Sequence, residues 1–249
     1  MFRTRTEAFS WALSALLLIA GPAAAQVPVE LLGWTDIRGS AEFNYHGGHA
    51  IDGTTSYHIV RDVESDITPN WGSQIVRVDN FATAPSNTVL VTDAQWKAST
   101  GVDPVAGSIL PSTTVGVVGD WLLFGDVSTD SIWRVNTTNG IPEAYVAESQ
   151  IMAYTELDDA NLIDAAAIDA DGEMAFYDQV SDSILLTNGP GQMSTLVSMA
   201  EYTALTGTTP INFVSGGMAY DSDGDLFWTR AEYAIYRRDA DTAELSVVL

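Results

Sequence analysis

Four times along this chain an apolar strand runs through a tight turn into an aromatic strand, and then into a strand carrying isoleucine. The clearest pair of copies is Ala166-Ala-Ile-Asp-Ala-Asp-Gly-Glu-Met-Ala-Phe-Tyr-Asp178 and Met218-Ala-Tyr-Asp-Ser-Asp-Gly-Asp-Leu-Phe-Trp-Thr-Arg230. Each is followed by a second short strand, Ser183-Ile-Leu-Leu186 and Ala234-Ile-Tyr-Arg237. A third copy is Trp121-Leu-Leu-Phe-Gly-Asp126 with Ser131-Ile-Trp-Arg-Val135. The most divergent copy runs Gly47-Gly-His-Ala-Ile-Asp-Gly53, Tyr57-His-Ile-Val60 and Ser73-Gln-Ile-Val-Arg-Val78. The equivalent isoleucines are Ile75, Ile132, Ile184 and Ile235, spaced by 57, 52 and 51 residues.

Within one copy the pattern is four short strands, near 164–169, 173–178, 182–187 and 193–197. Turn residues separate them: Asp171-Gly172, Val180-Ser-Asp182 and Asn188-Gly-Pro-Gly191. Four strands per repeat of about 40–50 residues predict an all-β fold, a β-propeller of four-stranded antiparallel blades. A single blade cannot bury both of its faces, but blades stacked around an axis bury each other's. That accounts for inner strands as small and apolar as Ala165-Ala-Ala-Ile168. It also assigns Phe124, Trp133, Phe176, Tyr177, Phe227, Trp228 and Tyr236 to packing between blades. Short helical turns are expected between blades, at 94–101, 149–157 and 199–207, with Trp96, Tyr154 and Tyr202 in comparable places. These three aromatics are the candidate ligand-binding residues, because the segments that carry them would line one face of the propeller.

The motif Asp-x-Asp-Gly-(Asp/Glu)-apolar-(Phe/Trp), then a strand with Ile and often Arg, resembles the NHL and YWTD propeller superfamilies. Leu226-Phe-Trp-Thr-Arg230 is nearest to a YWTD blade, with Arg230 where that family has Asp. The repeats are also similar to gluconolactonase-like six-bladed propellers, in which such an Asp-Gly turn joins the two inner strands. That resemblance implies a metal at the axis held by Glu and Asn/Asp. No Glu-Gly-Pro near Gln26 matches the first of those ligands.

The N-terminus has the layout of an export signal. Arg3 and Arg5 precede an apolar run, Trp11 to Ala20, then Gly21-Pro22 and Ala23-Ala-Ala25. The run is shorter than the ~20 residues of a spanning helix. The reading is a signal peptide over 1–25 and a propeller domain over 26–249, exported to the periplasm or cell exterior, with no transmembrane segment after cleavage. With a unit of about 52 residues, the mature chain holds four blades and an N-terminal remnant near Val27–Trp34. Two arrangements fit: a closed four-bladed ring, or the front part of a larger propeller such as a six-bladed one, and the second is the expectation adopted.

Composition narrows the chemistry. The chain has no cysteine, so thiol catalysis, disulfides and Cys-ligated metals are excluded. It has 33 acidic and 10 basic residues, a net charge of −23, and one lysine, Lys97. That excludes nucleic-acid binding through a basic patch. No G-x-S-x-G, H-E-x-x-H, P-loop or G-x-G-x-x-G occurs.

Two candidate metal sets stand out. His46, His49 and His58 fall within 13 residues and could ligate a transition metal with Asp52 or Asp62. Against this, His49 aligns with the inner-strand residues Ala166 and Met218. The carboxylates Asp169/Asp171 and Asp221/Asp223/Asp225 offer hard oxygen ligands to calcium, but the glycine falls two residues early for an EF-hand. The competing reading is a β-turn in which Asp caps backbone N–H groups and Gly supplies a positive φ. Two functions follow: an exported, non-catalytic propeller that binds a protein, glycan or small molecule, or a metal-dependent lactonase or esterase.

Overall fold

Short apolar runs separated by tight turns pair as sixteen strands in the computed structural model, which describes residues 45–61, 73–101, 111–126, 129–210, 212–214, 217–230 and 234–249. The chain divides into two units, Met1–Leu31 and Leu32–Leu249, and all described residues belong to the second. The signal segment, the Val27–Trp34 remnant and Asp62 lie outside the described residues.

The strands form four four-stranded antiparallel sheets, each in sequential order. Blade 1 holds β1 (Tyr45–Asp52), β2 (Thr55–Arg61), β3 (Ser73–Asp79) and β4 (Ser86–Val91). Blade 2 holds β5 (Pro111–Val118), β6 (Trp121–Asp126), β7 (Ser131–Asn136) and β8 (Pro142–Val146). Blade 3 holds β9 (Leu162–Ile168), β10 (Met174–Asp178), β11 (Ser183–Thr187) and β12 (Met193–Ser198). Blade 4 holds β13 (Met218–Tyr220), β14 (Leu226–Arg230), β15 (Ala234–Arg238) and β16 (Leu245–Val247). The inner strands β1, β5, β9 and β13 pack side by side in that order. Among the described residues the sheets do not close into a ring.

Register reproduces the sequence repeat. Ile75, Ile132 and Ile184 face Val91, Val146 and Val197, and a β-bulge follows each pair immediately. Ile235 continues the series through backbone bonds to Val248 and Leu249. The bulge lets two outer-strand residues oppose one on the third strand, which increases local twist. His49, Ala166 and Met218 also fall at one register position, facing His58, Phe176 and Trp228.

Among the described residues, three helices link the blades: α1 (Asp93–Thr100), α2 (Glu148–Thr155) and α3 (Met199–Thr206). Each is too short to hold itself in water, so its ends are tied. Gln95 and Thr92 form a reciprocal capping box, as do Glu201 and Ser198. In α2 the cap is Ala147, which has no hydroxyl, and only the return bond from the Ala147 N–H to Gln150 Oε1 is made. The fourth residue of each helix, Trp96, Ile151 or Tyr202, is fully buried. It inserts beneath the following blade: Trp96 against Phe124 and Trp133, Ile151 in the cluster with Phe176 and Leu185, Tyr202 against Tyr236. Burying such a side chain stabilises the contact by about 1.5–3 kcal/mol.

Candidate functional site

Antiparallel order places two sets of turns at opposite ends of the blades. One end carries the turns after β1, β5, β9 and β13. The other carries the β2/β3-type turns together with α1–α3 and the segments entering β9 and β13. The Glu148 N–H donates to Ser131 Oγ, and the Leu162 N–H donates to Asp130 Oδ1 at 3.0 Å. The second end is therefore one connected surface where blade 2 meets blade 3, and it is the candidate functional site.

At the first end the Asp-x-Asp-Gly segments are capped turns. Asp169 Oδ1 accepts from the N–H groups of Asp171 and Glu173, and Asp221 Oδ1 accepts from those of Asp223 and Asp225. Gly172 and Gly224 sit at φ +88° and +83°. Asp225 is buried, and its carboxylate pairs with Arg237 and caps the Ala240 N–H. Among the described residues, no three or more His, Asp or Glu side chains come together as a metal-ligand group.

The histidines are divided. His49 and His58 face each other across β1 and β2 with stacked rings, centroids 6.4 Å apart. His58 is buried, and its Nε2 hydrogen-bonds Ser56 Oγ. His46 lies beyond a bulge, opposite Val60, and its side chain lies outside the described residues.

The three aromatics expected in comparable places are not equivalent. Trp96 and Tyr202 hold the fourth position of their helices, where α2 has Ile151. Tyr154 falls three residues later, is 39% exposed, and shares a hydrogen bond with Thr195 of β12. Tyr202 is fully buried; its hydroxyl donates to the Tyr236 hydroxyl and accepts from Arg230 Nη1. Burial, chiefly, pushes the Tyr236 hydroxyl up to about 12.

The carboxylates of this end were not singled out from the sequence. Asp126 and Asp178 close β6 and β10, and both are fully buried. Asp178 accepts from the N–H groups of Asn161 and Ser181, and Asp126 accepts from Thr129 Oγ1. Arg230 occupies the same register position in blade 4, opposite Ala234 as Asp178 is opposite Ser183. Four residues on, Asp130 and Asp182 adopt positive φ. Burial, and then the nearby charges of Glu148, Asp159 and Asp126, push the Asp130 carboxyl up to about 6 against the lowering effect of the Leu162 N–H. Asp182 is also raised, chiefly by burial, although it accepts from the Tyr177 hydroxyl. The signal for all four was present: Asp126-x-x-x-Asp130-Ser-Ile132 repeats as Asp178-x-x-x-Asp182-Ser-Ile184.

No protein-family model matches the chain, and no curated protein sequence matches it. Solved structures do. A structural genomics protein of unknown function from Bacteroides thetaiotaomicron VPI-5482 superposes with a TM-score of 0.50 at 12% identity, over 84% of this chain and 44% of that one. A chain from a nidogen/laminin complex gives 0.51 at 12% identity, over 82% of this chain and 63% of that one. Virginiamycin B lyase from Staphylococcus aureus gives 0.48 at 13% identity, over 81% and 54%. The chain thus spans about half the length of these structures. The likeness to the first two, together with four sequential four-stranded antiparallel sheets, shows a β-propeller fold.

Proposed function

We propose that this chain is an exported, non-catalytic β-propeller that binds a protein, glycan or small molecule at the end carrying α1–α3. The observation that carries this reading is how the reactive side chains are used. The buried carboxylates Asp126 and Asp178 are engaged by the turn groups they hold, and Trp96 and Tyr202 are buried as packing anchors. Such groups make a rigid frame, and function then resides in what the frame displays. On α2 it displays Tyr154, with Leu157 and Val180 exposed at the same end. Trp96 and Tyr202 position that surface, and Tyr154 contacts the ligand. The nidogen/laminin likeness is a reason to include proteins among the ligands tested. Arg3, Arg5, the Trp11–Ala20 run and Ala23–Ala25 support export. Among the described residues, no helix is long and apolar enough to cross a membrane.

The purified protein is tested against a panel of lactones and aryl esters, with and without calcium or zinc. No turnover is expected. Turnover that requires the metal and stops with chelator overturns this reading in favour of a metal-dependent hydrolase. A ligand found on a glycan panel or by thermal shift is expected to bind at least tenfold more weakly to Tyr154→Ala, at an unchanged melting temperature.

A further inference from the structure

Exposed apolar side chains gather at the helix-bearing end of blade 3. Tyr154 in the last turn of α2, Leu157 just beyond it and Val180 in the β10–β11 turn are 39%, 38% and 38% exposed. The backbone brings them to one place. The Tyr154 hydroxyl shares a hydrogen bond with Thr195 Oγ1 at 3.1 Å, which lays α2 against the outer strand β12. The connection from α2 to β9 then crosses the β10–β11 turn. There the Asn161 N–H donates to Asp178 Oδ1 and the Asn161 carbonyl accepts from the Gln179 N–H, both at 2.8 Å. Blade 3 has a blade on each side, with β9 packed against β5 and β13, so this end faces away from the stack.

The charge around these side chains is uncompensated. From residue 135 to residue 229, a stretch that contains α2, blade 3 and α3, the chain has no lysine, arginine or histidine. Blades 1, 2 and 4 carry an arginine two residues after the repeat isoleucine. These are Arg77, Arg134 and Arg237, paired with Asp79, with Glu143, and with Asp225 and Asp239. Blade 3 has Leu186 at that position. Beside the apolar side chains stand Glu156, Asp158 and Asp159, all exposed. Glu156 also holds a left-handed backbone, φ +60°, where α1 and α3 end in Gly101 and Gly207. Glycine adopts that conformation without strain, so an acidic side chain is displayed here at the expense of the helix end.

We propose that this surface docks a basic polypeptide segment, one that carries apolar side chains among its lysines and arginines. The proposal rests on the reading of a binding propeller and names its class of partner. Tyr154, Leu157 and Val180 supply the apolar contact, and a tyrosine with a rigid ring and one polar tip is a common anchor. Glu156, Asp158 and Asp159 repel an anionic partner and steer a cationic one onto the same surface. A neutral ligand would use only the apolar side chains and a small cation only the acids. A basic segment with apolar side chains uses both.

Fluorescence anisotropy with a short labelled peptide of lysines and leucines is expected to show saturable binding that weakens with added salt. The same peptide with glutamate for lysine, or with serine for leucine, is expected to bind about tenfold more weakly or less. Two charge-matched double variants locate the site. Asp158→Asn with Asp159→Asn is expected to weaken binding about tenfold. Asp171→Asn with Asp223→Asn, exposed at the opposite end of the blades, is expected to change it by less than about twofold. Glu156→Gly is expected to raise the melting temperature by about 2–4 °C and still weaken binding, which a residue kept for structure alone would not do. Equal weakening by the two double variants overturns the proposal, as does equal binding of the serine peptide. A glycan that binds at Tyr154 while the basic peptide does not bind also overturns it, but leaves the reading of a binding propeller in place. Metal-dependent turnover on the lactone panel overturns that reading, and this proposal with it.

Discussion

The carboxylate of Asp130, in the turn after β6, accepts a hydrogen bond from the backbone N–H of Leu162 at 3.0 Å, and so ties blade 2 to the first residue of β9 in blade 3. The bond is made by a group that burial and three neighbouring acids, Glu148, Asp159 and Asp126, hold at about 6. In the unfolded chain an aspartate titrates near 3.9. The folded state therefore holds this proton more tightly. Stability from Asp130 is fully present below about pH 4 and is lost as pH rises through about 6. Asp130→Asn keeps an acceptor for the Leu162 N–H and removes the charge. It is expected to raise stability at pH 7 by on the order of 1 kcal/mol, allowing for solvent screening of a partly exposed group. It is expected to do little at pH 4. Denaturant melts of both proteins from pH 4 to 8 check the crossover.

Asp178 makes the opposite case, a buried carboxylate whose oxygens are both engaged by backbone N–H groups, Asn161 at 2.8 Å and Ser181 at 3.0 Å. Asp178→Ala leaves those donors buried without an acceptor and is expected to cost about 2–4 kcal/mol. Asp178→Asn keeps one acceptor and is expected to cost about half as much. Guanidinium unfolding midpoints at constant slope separate the two.

The helix anchors and the surface tyrosine part company in stability. Trp96→Ala empties a fully buried site between Phe124 and Trp133 and is expected to cost about 3–5 kcal/mol. Tyr154→Ala removes one exposed ring and one bond to Thr195, and is expected to stay within about 0.5 kcal/mol of the parent. Thermal unfolding of the pair tests the assignment of Trp96 to the frame and Tyr154 to the surface.

The two Asp-Gly turns share a backbone shape but not a neighbourhood. A Cβ on Gly172 would lie 2.5 Å from Val118 Cγ1 of blade 2, whereas one on Gly224 meets only Ala240 Cβ at 3.6 Å. Gly224→Ala is expected to cost about 1–2 kcal/mol for the left-handed conformation alone. Gly172→Ala is expected to cost about 1–3 kcal/mol more from overpacking against blade 2. Equal costs in chemical denaturation would show that Val118 yields freely.

Much of the blade was legible in advance because its determinants are local. In blade 3 the expected strands at 164–169, 173–178, 182–187 and 193–197 differ from β9–β12 by at most two residues at any end. Period-two alternation and turn residues act within a few positions of themselves. The Asp caps and positive φ of the Asp-Gly turns are local for the same reason, as are the three helices, whose box residues lie three apart. The equivalence of Trp96, Tyr154 and Tyr202 failed for a related reason. Helical position, not aromatic character, decides which side chain is the anchor, and 3.6 residues per turn makes an offset of three land on a different part of the surface. Ile151, apolar but not aromatic, fills the anchor site in α2.

By itself, then, the sequence determined the four-stranded unit, its four copies, its turns and its strongly acidic balance, since each follows from short-range pattern or from counting. Only the tertiary structure decided which side chains those units spend on each other. It put Trp96 and Tyr202 under the following blade, buried Asp126 and Asp178 against turn N–H groups, and drew Asp130 against blade 3 among like charges. Burial and charge environment depend on residues from neighbouring repeats, some 30–50 positions away in the chain, and no local pattern records which of two identical strand faces will meet another sheet.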